Sequence, residues 1–188
     1  MATLLLARHG ETDWNAEQRW QGHSDVPLNE RGREQARTLA EELADEPIVA
    51  IYSSDLRRAH ETARIVADRK GMDVIVDAAL RETNLGVWEG LTSTEIAERF
   101  PEDWHTWREG GIPSGRGGET PQEARERVVE VAHRIAVAHP GEQVLVVAHG
   151  GVLRHLALHA DALKPDDTFA NCHVLRVEYR DGVFGRVD

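Results

Sequence analysis

Apolar positions along the chain follow two rhythms. Leu4, Leu5, Leu6 and Ala7 form an unbroken run, residues 144–148 form another, and a short β-branched run spans 48–52. Runs of this length suit strands buried on both faces, as in a parallel sheet. Val74–Val76 predicts a further strand, and residues 172–179 and 183–187, around Asp181 and Gly182, predict a terminal hairpin. Between the runs the period becomes helical. Ala36, Leu39, Ala40 and Leu43 share one face of a helix predicted over 30–44, with Asn29 as its N-cap. Ser54 or Asp55 is the expected cap of a helix reaching Lys70 and stopped by Gly71. Thr92 and Glu95 have capping-box spacing and open a short helix that ends before Pro101. Thr120, Pro121 and Glu123 start a long helix to about His139, and another helix runs from Val152.

Less regular stretches lie between these elements. A turn of helix is expected at 15–18, then a loop over 19–27 broken by Gly22 and Pro27. Residues 101–119 carry Trp104 and Trp107, then five glycines and Pro113, and read as a functional cover or mobile loop. Strands alternating with helices imply an α/β fold with a mostly parallel central sheet, in a single domain over residues 1–188.

Composition narrows the class. With 40% hydrophobic and 29% charged residues in 188, the chain resembles an ordinary soluble domain large enough for its own core. The lone Cys172 leaves no internal disulfide and no thiolate metal site. No apolar run has the length of a membrane span, and no basic leader precedes the first strand, so a cytoplasmic location is expected. A net charge of −11 argues against a nucleic-acid partner. It leaves a phosphate substrate open, because a pocket acts through local charge.

The candidate chemistry sits where two strands end. The first run stops at Arg8, His9 and Gly10, and the run ending at Ala148 continues into His149, Gly150 and Gly151. Carboxyl ends of parallel strands are where open α/β sheets bind ligands. Three more blocks lie between these two. The first block itself reads Arg8, His9, Gly10, Glu11, Thr12 and Asn15. A second has Asp25, Pro27, Leu28, Gly32 and Gln35; a third has Ser53, Ser54, Asp55, Arg57, Arg58, Ala59 and Thr62. A fourth has Leu80, Arg81, Glu82, Gly86, Trp88 and Gly90, and the fifth runs from Val147 to Gly151. The five ordered blocks resemble the histidine phosphatase superfamily, which includes the cofactor-dependent phosphoglycerate mutases. The resemblance implies a three-layer α/β/α sandwich, no cofactor and no metal. It also implies a small phosphorylated metabolite as substrate. A homodimer is left open.

Transfer of a phosphoryl group needs cations around three equatorial oxygens and an in-line nucleophile. Neutral imidazole can serve as one near pH 7. His9 is the expected nucleophile, a role the family gives the matching histidine. Arg8 and Arg58 are the expected phosphate clamp, helped by His149 and Asn15. The motif spacing selects Arg58 over its neighbour Arg57. Glu82, after a strand, matches the family's proton donor. Gln21, Gly22 and His23 in the rim loop, and Gly150 beside His149, complete the expected substrate contacts. His155 and His159 are four apart on a helix, but without further ligands that spacing does not make a zinc site. Trp104 and Trp107 could form a wall against an organic leaving group.

Two activities fit the resemblance. In a phosphomonoesterase water attacks the phosphohistidine; in a phosphoglycerate mutase a bound acid takes the phosphoryl group back. The family's mutases generally carry an insertion and a C-terminal tail over the site. Little sequence lies between Glu82 and His149 here, and the chain stops soon after its hairpin, which favours the phosphatase. Within that branch the blocks resemble enzymes of glucosyl-3-phosphoglycerate, α-ribazole phosphate or broad specificity. A catalytically inactive binding protein of the same fold is disfavoured because Arg8, His9, Arg58, Glu82 and His149 are all present.

Overall fold

The computed structural model describes residues 1–164 and 167–187. Its single sheet contains β1 (Ala2–Arg8), β2 (Ile48–Ser53), β3 (Val74–Val76), β4 (Gln143–Ala148), β5 (Val174–Arg180) and β6 (Val183–Arg186), in the order β3-β2-β4-β1-β5-β6. The first four strands run parallel, and the β5–β6 hairpin adds an antiparallel edge. Period-2 alternation makes the central strands two-faced. Leu4 and Leu6 of β1 join Val144 and Val146 of β4 under α6 (Pro121–Ala138) and α7 (Gly150–His159). Leu5 and Ala7 join Leu145 and Val147 under α2 (Glu30–Glu42) and α3 (Arg57–Lys70). Leu4, Leu5 and Leu6 are all fully buried, and each such side chain contributes roughly 1.5–3 kcal/mol of transfer free energy. The three-layer α/β sandwich follows from that coverage.

Local signals set most helix ends. Asn29 Oδ1 accepts from Gly32 N at 2.8 Å, and Thr92 with Glu95 and Thr120 with Glu123 form reciprocal capping boxes. Gly71 ends α3 in the left-handed region at φ 65°. Several boundaries differ from the sequence expectation. Neither Ser54 nor Asp55 caps α3: its N-cap is Leu56, and the exposed Arg57 N–H is satisfied by Asp25 Oδ1 at 2.7 Å, from a loop far away in sequence. Asp55 is instead engaged by Arg81 through two hydrogen bonds of 2.8 and 2.6 Å. Two glycines do not delay α7, which begins at Gly150 rather than Val152. The short helix α1 spans Asp13–Ala16, so Gln18 lies beyond it at φ 56°.

The stretch 101–119 is not irregular throughout. It opens with α5 (Pro101–Arg108), with Pro101 in its first turn, after α4 (Ser93–Arg99). Phe100, Trp104 and Trp107 lie at helical spacing and pack on a cluster of Leu85, Trp88 and Ile96, together with Trp20. The glycines that dominate the composition fall after this helix. Glu82, expected after a strand, follows a 3-10 turn at Ala78–Leu80. Among the described residues no helix is long and apolar enough to cross a membrane.

Register places the site. Arg8 pairs with Ala148, and His9 N donates to Ala148 O at 3.0 Å, so the ends of β1 and β4 are level. The end of β2 joins them through Ser54 N, which donates to Val147 O at 3.1 Å. Three strands thus deliver Arg8-His9, His149 and Ser54 to one edge.

Candidate active site

A cleft of about 440 Å³ opens at this edge. Its floor holds Arg8, His9 and Arg58, with Glu82 to one side; Asn15, Gln21 and Gly22 also line it. His9 is buried, and its Nδ1 lies 2.7 Å from Gly10 O. A carbonyl only accepts, so the proton is on Nδ1 and the Nε2 lone pair is free. His149 is the mirror case. Its Nδ1 lies 3.2 Å from Arg58 Nε, which only donates, so His149 carries its proton on Nε2 and gives it to Ser54 Oγ at 2.9 Å. The two rings are 5.2 Å apart. Burial pushes both histidines well below the usual imidazole range, and the charges of Arg58 and Arg8 push the same way.

Arg58 is fully buried and spends three of its five N–H donors on the protein. Besides His149, it donates to Ser24 O at 2.7 Å and Gly22 O at 2.8 Å. One N–H on each terminal nitrogen stays available to a ligand. Desolvation lowers its pKa to about 10, so it remains charged at neutral pH. Arg57, one residue earlier, is exposed. Arg8 Nη1 donates to Phe169 O at 2.7 Å, while its buried Nε has no partner. The buried Arg58 and the half-buried Arg8, both with spare donors and neither in an ion pair among the described residues, make an anion receptor.

Among the described residues Glu82 is the single carboxylate lining the cleft. Its oxygens accept from Thr83 N at 2.8 Å, Gly151 N at 2.9 Å and Val152 N at 3.1 Å, so it caps α7 from a distance. A Cβ on Gly151 would lie 2.5 Å from Glu82 Oε1, which makes glycine a condition of this approach. The backbone is held too. Glu82 O accepts from Arg127 Nη2 at 3.2 Å and faces His23 Nε2 at 2.8 Å.

Not every expected contact is in the cleft: His149, expected to help clamp the phosphate, is fully buried beneath it with both ring nitrogens engaged by Ser54 and Arg58. His23 does not line it and stands behind Glu82 as a support. Gly150 does not line it either; its missing Cβ makes room for Arg8, whose Nε would lie 3.2 Å away. Asn15 Oδ1 accepts from Thr12 N at 3.1 Å, leaving the amide NH2 as the end a ligand can use. His155 lines the cleft, whereas the exposed His159 packs its ring against Phe184. Trp107 lines the cleft with Trp14 and Trp20; Trp104 packs behind them. Sequence reasoning missed Ser54 as a partner of His149, Asn171, which donates to His9 O at 2.9 Å, and the Arg127–Glu119 pair. Ser54 lay within a recognised block; Asn171 and Arg127 gave no local signal.

The profile of the Histidine phosphatase superfamily (branch 1) matches residues 4–187. The chain belongs to this superfamily. Its relatives include a glucosyl-3-phosphoglycerate phosphatase of Mycobacterium tuberculosis, 42% identical over 86% of this chain and 75% of that protein. A phosphoglycerate mutase-like protein 4 of Arabidopsis thaliana is 43% identical over 82% and 69%. A metal-independent phosphoserine phosphatase of the same plant is 37% identical over 95% and 76%. Among solved structures, Bacillus stearothermophilus YhfR superposes with a TM-score of 0.88 at 35% identity, covering 100% of this chain and 98% of that one. A mycobacterial glucosyl-3-phosphoglycerate phosphatase in complex with VO3 superposes at 0.85 with 33% identity, over 97% and 95%. The histidine phosphatase fold is thus shared along the whole described chain.

The opposite tautomers give this member of the superfamily a spectroscopic signature. A pKa below 6.5 means each ring stays neutral as pH falls through that value. Nitrogen-15 NMR at pH 6 should show His9 protonated on Nδ1 alone and His149 on Nε2 alone. A doubly protonated ring for either at pH 6 would contradict the burial and hydrogen bonding described.

Proposed function

We propose that this chain is a metal-independent phosphomonoesterase that passes the phosphoryl group through His9 to water. The observation that carries the reading is the convergence of the free His9 Nε2 with the buried Arg58 and the half-buried Arg8, both of which retain unused donors. The dianionic ester seats its equatorial oxygens on Arg8 and Arg58, with Asn15 adding a donor, while His149, whose one ring proton goes to Ser54, orients Arg58 by accepting from its Nε. The Nε2 lone pair forms the P–N bond as the P–O ester bond breaks. Glu82 gives its proton to the departing oxygen. Water then attacks phosphorus, the P–N bond breaks, Glu82 takes a proton from the water, and inorganic phosphate leaves.

Relatives named as glucosyl-3-phosphoglycerate and phosphoserine phosphatases support a small, hydroxyl-derived phosphate ester as substrate. Mutase chemistry is the second reading, favoured by the relative named phosphoglycerate mutase-like. The discriminating experiment incubates the protein with glucosyl-3-phosphoglycerate, 3-phosphoglycerate, phosphoserine and α-ribazole phosphate. Phosphate release that survives EDTA, with no isomerisation of 3-phosphoglycerate, is expected. Isomerisation without release would reverse the choice, and loss in EDTA restored by a divalent ion would refute metal independence.

The role of Glu82 has its own test. An alkoxide is a poor leaving group and a nitrophenolate a good one. Glu82→Gln should therefore slow phosphoenzyme formation from an alkyl phosphate by about 10²–10⁴-fold and largely spare a nitrophenyl phosphate. Equal losses on the two substrates would make Glu82 a residue that shapes the cleft, and the proton donor would then be sought elsewhere.

A further inference from the structure

Arg116 lies in the segment between α5 and α6, and only 1% of it is exposed. Its guanidinium carbon is 5.6 Å from the centre of the Trp107 ring and 5.7 Å from that of Trp88. Nη1 donates to Asn84 O at 3.0 Å, Nη2 donates to Glu119 O, and the buried Nε has no partner. The carboxylate nearest in sequence, Glu119, is taken by Arg127 through bonds of 2.7 Å at each oxygen. Arg116 is therefore a buried cation held by carbonyls and indole faces rather than by an acid. Such burial is a desolvation cost that an apolar side chain of similar size would avoid.

What the cation fixes is visible on the cleft side. Trp107 touches Trp20 edge-on at 5.9 Å, and Trp20 touches the fully buried Trp88 at 5.9 Å. Trp107 and Trp20 both line the cleft that holds Arg8, His9 and Arg58, while Arg116 itself does not. Cation–π attraction orients an indole face, and two carbonyl bonds pin the guanidinium in plane. We infer that Arg116 is a positioning residue that holds Trp107, and through it Trp20, as a rigid wall for the leaving group, so that the protein selects phosphate esters whose alcohol carries a ring. This rests on the phosphomonoesterase reading. The hydrogen bonds and ring contacts of Arg116 go to Asn84, Glu119, Trp88 and Trp107 and not to Arg8, His9, Arg58 or His149, so the phosphate end is held by other partners. Hydrolysis of the phosphohistidine comes after the alcohol has left and is equally independent of the wall.

Benzyl phosphate and ethyl phosphate expel alkoxides of similar basicity and differ mainly in the ring, so the pair isolates the wall from the chemistry. Arg116→Met should lower kcat/KM for benzyl phosphate about tenfold, within the range that an apolar pocket contact supplies. The loss should lie chiefly in KM. Ethyl phosphate and the rate of phosphoenzyme hydrolysis should stay within about twofold of wild type. Trp107→Ala should reproduce the same selective loss, and the double variant should be no worse than Trp107→Ala alone, because the first residue acts through the second. Arg116→Lys keeps a charge over the indoles and should recover part of the loss; it carries the comparison if Arg116→Met does not fold. Calorimetry with benzylphosphonate and ethylphosphonate should show weakened binding for the benzyl ligand only. Equal losses on both esters, additive losses in the double variant, or an unchanged benzyl ester would overturn the inference while leaving the phosphomonoesterase standing. A wild-type protein that hydrolyses no phosphate ester would overturn both, and calorimetry would locate that failure in the chemistry if the phosphonates still bind.

Discussion

At one sheet edge the buried Arg58 and the half-buried Arg8 have no carboxylate bonded to either among the described residues, and the rest of the site is arranged around holding them there. Removing such a charge from water is expensive unless strong partners replace the solvent. Arg58 is held by Gly22 O, Ser24 O and His149 Nδ1, and Arg8 by Phe169 O. The partners are acceptors that leave donors over, and the surplus is what a phosphate dianion can satisfy. Burial keeps His9 and His149 neutral, and the charges of the same two arginines push the same way. A receptor for an anion and a neutral nucleophile are thus two consequences of one arrangement.

That arrangement requires rigid loops. The 22–24 carbonyls that face Arg58 belong to a loop tied by Asp25 to the start of α3 and by Glu89 to His23 N and Ser24 Oγ. Glu82 is set by the N-terminus of α7, by His23 and by Arg127, which also bonds Ala79 O and Arg81 O. These are buried or half-buried polar networks, each of which must be fully satisfied to be tolerable. Unsatisfied atoms remain on Arg8, Gln21 and Arg116, in and beside the cleft, and on Trp88 behind it; only Gln143 lies at a strand start. Stability has been conceded chiefly where ligand binding or the wall needs the group.

Much of this was legible along the chain. Unbroken apolar runs mark β1 and β4 because both faces are covered, and Asn29, Thr92 and Thr120 mark helix starts because their caps act within three residues. The position of His9 and His149 followed from where those runs stop, and the motif spacing separated the buried Arg58 from the exposed Arg57. What was not legible depends on contacts distant in sequence. Asp25 caps α3 across 32 residues, His23 reaches Glu82 across 59, and Asn171 reaches His9 across 162. No local period encodes such pairs. The helix α5 was hidden for a different reason: the glycines after it dominated the composition of its stretch, although Phe100, Trp104 and Trp107 carry a helical spacing.

The central claim is that phosphorus bonds to a neutral nitrogen of His9 lying between the two arginines. Rapid quench of a single turnover with phosphoryl-labelled ester, followed by peptide mapping, tests it directly. The account predicts label on His9, stable in alkali and lost in acid, and none in His9→Ala. Label on a serine or a carboxylate, or full turnover by His9→Ala, would contradict it.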